Sequence, residues 1–266
     1  MSGLARSLAA FLDQASPLAL VAITEAKGST PREAGAWMLV STEGIFGTIG
    51  GGQLEFLAIA KARELISQNI ASGALDIPLG PEIGQCCGGR VALDIRIAGD
   101  RDRAELLQRA EQEDARRPHV YLFGGGHVGR ALATALALLP VRTELVESRA
   151  ELLSGLPGDV ETRLTAVPEE VVRAAPPRSA FVVLTHEHQL DFLIVAEALA
   201  REDAAYVGMI GSRTKKATFR SWYVDNGGEA ARVSRLVTPI GGADIDDKRP
   251  SVIAALTAAE VLRALA

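Results

Sequence analysis

The chain has 266 residues, 48% of them hydrophobic and 23% charged, with a formal net charge of −5. That composition suits one large or two ordinary globular domains, and the acidic balance argues against a nucleic-acid partner, whose binding surfaces need a basic excess. No apolar run reaches the roughly 18 residues of a membrane span, and Met1–Asp13 lacks the pattern of a signal peptide, so a reducing cytoplasm is the expected compartment.

Leu4, Leu8, Phe11 and Leu12 recur at helical spacing and predict a short helix over 4–14. Leu18–Ala26 reads as a buried strand, broken by the turn residues Gly28-Ser29-Thr30-Pro31-Arg32. Ala36–Ser41 and Ile45–Ile49 read as a hairpin around Glu43-Gly44. Gly50-Gly51-Gly52 then opens a helix over Gln53–Asn69, with Leu54, Leu57, Ala58, Leu65 and Ile66 on one face. Consecutive glycines at a helix start leave backbone N–H groups facing outward, where the helix dipole adds to them. With Ser29, Thr30 and Arg32 nearby in sequence, Gly50, Gly51, Gly52 and Gln53 are a candidate phosphate cradle. A tight turn with close packing is the plain alternative.

Two further strands, 74–79 and 90–98, flank Gly84-Gln85-Cys86-Cys87-Gly88-Gly89, which holds both cysteines of the chain. Adjacent cysteines make no disulfide framework. In a glycine-rich loop they suit metal, sulfur-transfer or disulfide chemistry, although free cysteine also serves as a small buried hydrophobe. Residues 1–98 thus predict an α+β domain with glycine-rich loops at 28–35, 47–52 and 84–89. Residues 99–118 are dominated by charge and read as a solvated linker helix.

From His119 to the last residue, strands and helices alternate, the pattern of a Rossmann-like domain with a parallel sheet. A strand over 120–123 leads into Gly124-Gly125-Gly126-His127-Val128-Gly129, a helix over 130–139, and a strand over 141–146 ending at Glu147. Strand, G-x-G-x-x-G, helix and a carboxylate about 20 residues on form the dinucleotide-binding fingerprint. It makes Gly124, Gly126, His127 and Gly129 candidate cofactor contacts and NAD a candidate cofactor, with Glu147 placed for ribose hydroxyls. Strand 180–185 ends at His186, His188 and Asp191, which read as polar lining or helix capping, or as ligands of a metal-dependent hydrolase. Gly211-Ser212-Arg213 opens a later helix and forms either a second anion cradle or a simple N-cap. Pro250 and Ser251 start the final helix.

Set in order, Gly28-Ser29-Thr30-Pro31-Arg32, Gly47-Thr48-Ile49-Gly50-Gly51-Gly52-Gln53-Leu54-Glu55, Cys87-Gly88-Gly89, Phe123-Gly124-Gly125-Gly126-His127-Val128-Gly129, Gly208-Met209-Ile210-Gly211-Ser212-Arg213 and Thr238-Pro239-Ile240-Gly241 resemble the XdhC family, the accessory proteins of xanthine dehydrogenase and other molybdenum hydroxylases. The resemblance covers nearly the whole chain. It implies an N-terminal α+β domain followed by a Rossmann-like domain, and a non-catalytic chaperone for the molybdenum cofactor in its molybdopterin form. Such a chaperone supports sulfuration of the cofactor by a cysteine desulfurase and delivers it to apo-xanthine dehydrogenase or a related hydroxylase, with a molybdenum insertion protein as a further implied partner. Cys87 matches the family's Cys-Gly-Gly and is the implied sulfur relay or molybdenum ligand, with Cys86 as its companion. Gly88 and Gly89 join Ser29, Thr30, Arg32, Gly50–Gln53, Gly124, Gly126, His127, Gly129, Ser212 and Arg213 as implied cofactor contacts. Two domains, or two copies in a homodimer, are expected to close around the ligand. The chain departs from the family pattern at Pro239-Ile240-Gly241-Gly242-Ala243-Asp244-Ile245, one residue longer than usual.

Overall fold

The computed structural model describes residues 3–80, 88–242, 245 and 247–266. They form two units, Met1–Ala115 and Arg116–Ala266. Cys86, Cys87 and Asp244 lie outside the described residues.

In the first unit, strands β1 (Ala19–Lys27), β2 (Trp37–Val40), β3 (Ile45–Gly47), β4 (Ser72–Pro78) and β5 (Arg90–Ile97) make an antiparallel sheet in the order β3-β2-β1-β5-β4. Side chains alternate across it. Ala19, Val21 and Ile23 face helix α2 (Gly52–Gln68) and its Leu54, Ala58, Ala62 and Leu65. Leu18, Leu20 and Leu39 belong to the other core, with α1 (Gly3–Gln14) and α3 (Asp100–Arg116). The buried stripe of α2 follows 54, 58, 62 and 65, so Leu57, expected inside, sits on its flank at 36% exposure.

The charged stretch 99–118 is a helix, but one packed within the first unit rather than standing free. Its residues Leu106, Ala110 and Asp114 recur at i, i+4 and i+8 and are buried. The Asp114 carboxylate accepts the N–H of Ala5 at 2.9 Å and that of Leu4 at 3.4 Å. It thereby satisfies donors that the first turn of α1 leaves without intrahelical partners.

The second unit is built on six parallel strands: β6 (His119–Phe123), β7 (Arg142–Glu147), β8 (Val160–Leu164), β9 (Ala180–Val183), β10 (Tyr206–Met209) and β11 (Leu236–Val237). Their order is β11-β10-β9-β6-β7-β8. The chain builds outward from β6 to β8, returns, and builds outward the other way from β9 to β11, which is the doubly wound arrangement. Helices α4 (His127–Leu136) and α8 (Pro250–Leu265) belong to one core, with Leu122, Leu145 and Val182. Helices α5 (Pro168–Ala174), α6 (His188–Ala200) and α7 (Arg213–Asp225) belong to the other, with Phe123, Phe181 and Met209. The outer strand β8 is tied to β7 by exposed ion pairs, Arg142 with Glu161 at 2.8 Å and Arg163 with Glu144. The opposite outer strand, β11, has only two residues.

Candidate functional site

In the second unit the loop between β6 and α4 sits at the point where the strand order reverses, the usual ligand crevice of such sheets. Gly124 has φ 118°, and a Cβ there would lie 2.5 Å from the Leu184 carbonyl oxygen at the end of β9. Gly129 is inside α4, where a Cβ would lie 1.9 Å from the carbonyl oxygen of Gly124. The helix starts at His127, three residues before the Arg130 expected, so Gly129 lies within its first turn and packs on the Gly124 carbonyl. Gly126 is the N-cap, and a Cβ there would meet nothing within 4 Å. No side chain caps this helix, so the first-turn amides of His127 and Val128 are offered beside an open glycine.

Glu147, at the end of β7, turns back onto this loop. Its Oε2 accepts the Gly125 N–H at 2.9 Å and Arg149 Nη2 at 3.0 Å. Its Oε1 accepts the Ser148 N–H at 2.9 Å and the Arg149 N–H and Nε at 3.2 Å. Burial pushes this carboxyl up, but the Arg149 guanidinium and the Gly125 and Ser148 amides outweigh burial and hold it at about 2. A carboxylate so supplied with donors has no ready lone pair for ribose hydroxyls; a sugar would have to displace Arg149. Beside it lies a cavity of about 230 Å³ lined by Phe123, Gly124, Glu147, Thr165, Thr185 and His186, among others. It is smaller than the ~300–1,000 Å³ typical of whole-ligand pockets.

The histidine–carboxylate cluster at the end of β9 does not assemble as a metal site. His186 lines the cavity and His188 opens α6 in an exposed position. Asp191 is fully buried and already occupied. Its Oδ1 accepts Thr185 Oγ1 at 2.6 Å and the Thr185 N–H at 3.1 Å, and its Oδ2 accepts Lys215 Nζ at 2.5 Å. Lys215 reaches it across Gly211, where a Cβ would lie 2.5 Å from the lysine Cδ. Among the described residues no three His, Cys, Asp or Glu are grouped to hold an ion.

The remaining motifs of this unit are largely structural. Ser212 caps α7, its Oγ accepting the Lys215 N–H at 3.3 Å, and Arg213 points into a separate groove. Glu260 of α8 accepts both the Tyr206 hydroxyl at 2.8 Å and the Gly241 N–H at 2.9 Å. It so ties 206–211 to 238–241, and burial together with this carboxylate pushes the Tyr206 phenol up.

In the first unit three glycine-bearing loops converge. A Cβ on Gly89 would lie 2.3 Å from the Ser29 carbonyl oxygen, and one on Gly50 would lie 2.6 Å from Pro31 Cγ. Ser29, Thr30, Arg32, Gly50, Gly88 and Gly89 therefore share one neighbourhood. The contact is backbone on backbone at Gly89 and backbone on the Pro31 ring at Gly50, neither of which periodicity can reveal. The Gly50–Gly52 turn is not the open cradle expected of it. Glu55 Oε2 accepts the N–H groups of Ile49 at 3.2 Å and Gly51 at 3.0 Å and the Thr48 hydroxyl at 2.7 Å, while Thr48 Oγ1 takes the Gly50 N–H at 3.1 Å. Gly52 and Gln53, at the start of α2 with no side-chain cap, are what the turn still offers. Glu55 was readable as part of Gly50-Gly51-Gly52-Gln53-Leu54-Glu55, but only as a first-turn acid; its inward fold is a tertiary fact.

Residues 120–261 match the family model of the XdhC Rossmann domain, and residues 11–74 match that of the XdhC and CoxI family. The uncharacterized protein YqeB of Escherichia coli (strain K12) is 28% identical over 261 residues, which is 94% of this chain and 44% of that protein. The chain thus spans less than half the length of this relative. A crystal structure of a xanthine dehydrogenase from Bacillus halodurans shares the fold with a TM-score of 0.79 at 17% identity, over 99% of this chain and 96% of that one.

Proposed function

Starting from the fact that this chain belongs to the XdhC family, we propose that it is a non-catalytic accessory protein that binds the molybdenum cofactor in its molybdopterin form and helps to mature xanthine dehydrogenase or a related hydroxylase. The observation that carries the site is the convergence of the 28–32, 47–52 and 88–89 loops directly after Cys86 and Cys87 in the chain. The donor set suits an anionic phosphate-bearing pterin. Ser29 and Thr30 supply hydroxyls, Arg32 a guanidinium fork, and Gly52 and Gln53 the amides of an uncapped helix start. Cys87 supplies a soft thiolate suited to molybdenum or to sulfur relay, with Cys86 beside it. In the Rossmann unit, the Gly126–Gly129 amides and the 230 Å³ cavity offer a second anion site. Cys87 and the loop donors would hold the cofactor, whose molybdenum would supply the ligand-exchange chemistry; this chain's own part is to bind, orient and shield.

A cysteine desulfurase and a molybdenum insertion protein are the partners this reading implies, in the cytoplasm and with the chain as a homodimer. The test is anaerobic purification after co-expression with the cofactor pathway. Pterin and molybdenum are quantified in wild type and in Cys87→Ala, together with activation of the apo-hydroxylase. Wild type is expected to retain cofactor and Cys87→Ala to activate the client at least tenfold less. Wild type without cofactor overturns the role; equal activation by the variant removes Cys87 from it.

A second reading, an NAD-dependent dehydrogenase, is favoured by the strand order and by the cavity at its reversal. The engagement of Glu147 with Arg149 weighs against it. Titration with NADH separates the two, since tight binding with hydride transfer belongs only to the second.

A further inference from the structure

The second unit carries another concavity, an open groove of about 480 Å³ between α7 and the 3-10 turn Ala230–Arg235. One wall presents Arg213, Lys216 and Arg220, at i, i+3 and i+7 on a single face of α7; the floor is Ala217, Ala230 and Val233. Among the described residues no acidic one lines it. The chain as a whole has five more acidic than basic side chains, so a wall made only of cations is a local arrangement, not a reflection of composition.

This placement works against the helix. Arg213 and Lys216 lie in the first turn of α7, whose positive end disfavours cations, and Arg220 follows two turns on. Lys215 is compensated by the buried Asp191. Among the described residues Lys216 Nζ reaches a neutral acceptor, the Leu236 carbonyl, and no carboxylate. Arg213 and Arg220 have no carboxylate partner among the described residues. In the same unit Arg142, Arg201 and Arg232 each have one, while Arg130 and Arg235 are held by backbone carbonyls; Arg213 and Arg220 have neither kind of partner among the described residues. A local rule broken without compensation marks a site whose compensation comes from outside.

The dimensions say what kind. Seven residues of α-helix span ~10 Å, a row longer than one phosphate group. The small side chains of the floor let another backbone come close, and arginine forks match carboxylates bidentately. We infer that this groove docks an acidic segment of a protein partner, whose spaced carboxylates meet Arg213, Lys216 and Arg220. The inference stands on this groove alone and is independent of the cofactor reading.

The probe is a fluorescein-labelled synthetic helical peptide with glutamates at i, i+4 and i+7, compared with its glutamine counterpart by anisotropy on the full chain. The glutamate peptide is expected to bind at low ionic strength and to weaken as salt shortens the reach of the charges. The glutamine peptide is expected not to bind. The double variant R213Q/R220Q, and separately Ala217→Glu at an exposed helical position that should fold normally, are each expected to lose at least about tenfold in affinity. Absence of binding by wild type, undiminished binding by Ala217→Glu, or equal binding of the glutamine peptide overturns the inference. Displacement of the peptide by stoichiometric inorganic pyrophosphate also overturns it, in favour of a small-anion site.

Discussion

The carboxylate of Glu147 accepts the backbone N–H of Gly125 at 2.9 Å, so an acid carried on β7 takes up an amide of the very loop that a nucleotide phosphate would approach. Glu55 does the same to Gly51 at 3.0 Å. In both units a glycine turn that reads as an anion cradle already holds an anion from its own chain. A ligand phosphate binding to either turn therefore uses the amides that remain, those of the helix starts, or displaces a glutamate.

The first prediction concerns pH. The Glu147 carboxyl is held at about 2, below its usual 4.5, so its contribution to stability is full above pH 4.5 and is lost as pH falls toward 2. By linkage it amounts to at most about 3 kcal/mol. Glu147→Gln should be less stable than wild type at pH 7 in urea denaturation, with the gap closing between pH 4.5 and 2. A gap that does not change over that range would show that the charge of Glu147 contributes nothing.

The second concerns the Asp191–Lys215 pair. Removing one partner of a buried ion pair costs about 3–5 kcal/mol, whereas replacing both by apolar residues is often neutral. Lys215→Met alone should therefore lower the unfolding free energy by that order, and Asp191→Asn combined with Lys215→Met, which removes both charges but keeps an oxygen acceptor for Thr185, should recover much of it. A double variant no better than the single one would mean the loss came from packing around Gly211 instead.

The third separates two glycines of one loop. At Gly129 a Cβ collides with the Gly124 carbonyl, while at Gly126 it meets open space. Gly129→Ala should destabilise by more than about 2 kcal/mol, as overpacking does, and Gly126→Ala by no more than about 1 kcal/mol, the scale of an N-cap change. Thermal unfolding of both variants is the check. If the cradle binds phosphate, Gly126→Ala should also weaken binding of the pterin without unfolding the protein.

The fourth concerns α1. Asp114→Ala removes the acceptor of the Leu4 and Ala5 N–H groups, a loss of about 1–2 kcal/mol. Hydrogen exchange should speed up over the first turn of α1 and stay unchanged in the second unit. Unaltered exchange at Ala5 would show that another group caps that turn.

Much of the fold was legible because its main elements carry strong periodicity. The α2 helix was expected over 53–69 and runs Gly52–Gln68; β5 was expected over 90–98 and runs Arg90–Ile97. The G-x-G-x-x-G and its context led correctly to a parallel sheet. Strand β8 gave no signal because, of Val160–Leu164, only Val160 is buried, which leaves no alternation to read. Helix α5 has seven residues, and β11 two; neither is long enough for a pattern. In the site, residue types were readable but occupancy was not. That Glu55 and Glu147 would satisfy their own glycine turns, and that Asp191 would spend its charge on Lys215, depends on partners 24 residues apart or on side-chain direction. The helix over 100–116 looked solvated because its three inward positions are outnumbered by charges.

The outer strands of the parallel sheet have a consequence for aggregation. A long, flat, apolar rim is a template onto which another chain can add hydrogen bonds without limit. Here one rim ends after Leu236–Val237 and the other is studded with Glu161 and Arg163. Neither side of this sheet gives a foreign strand much to zip onto, which protects it from fibrous growth and leaves its helical faces as the places where orderly self-association could begin.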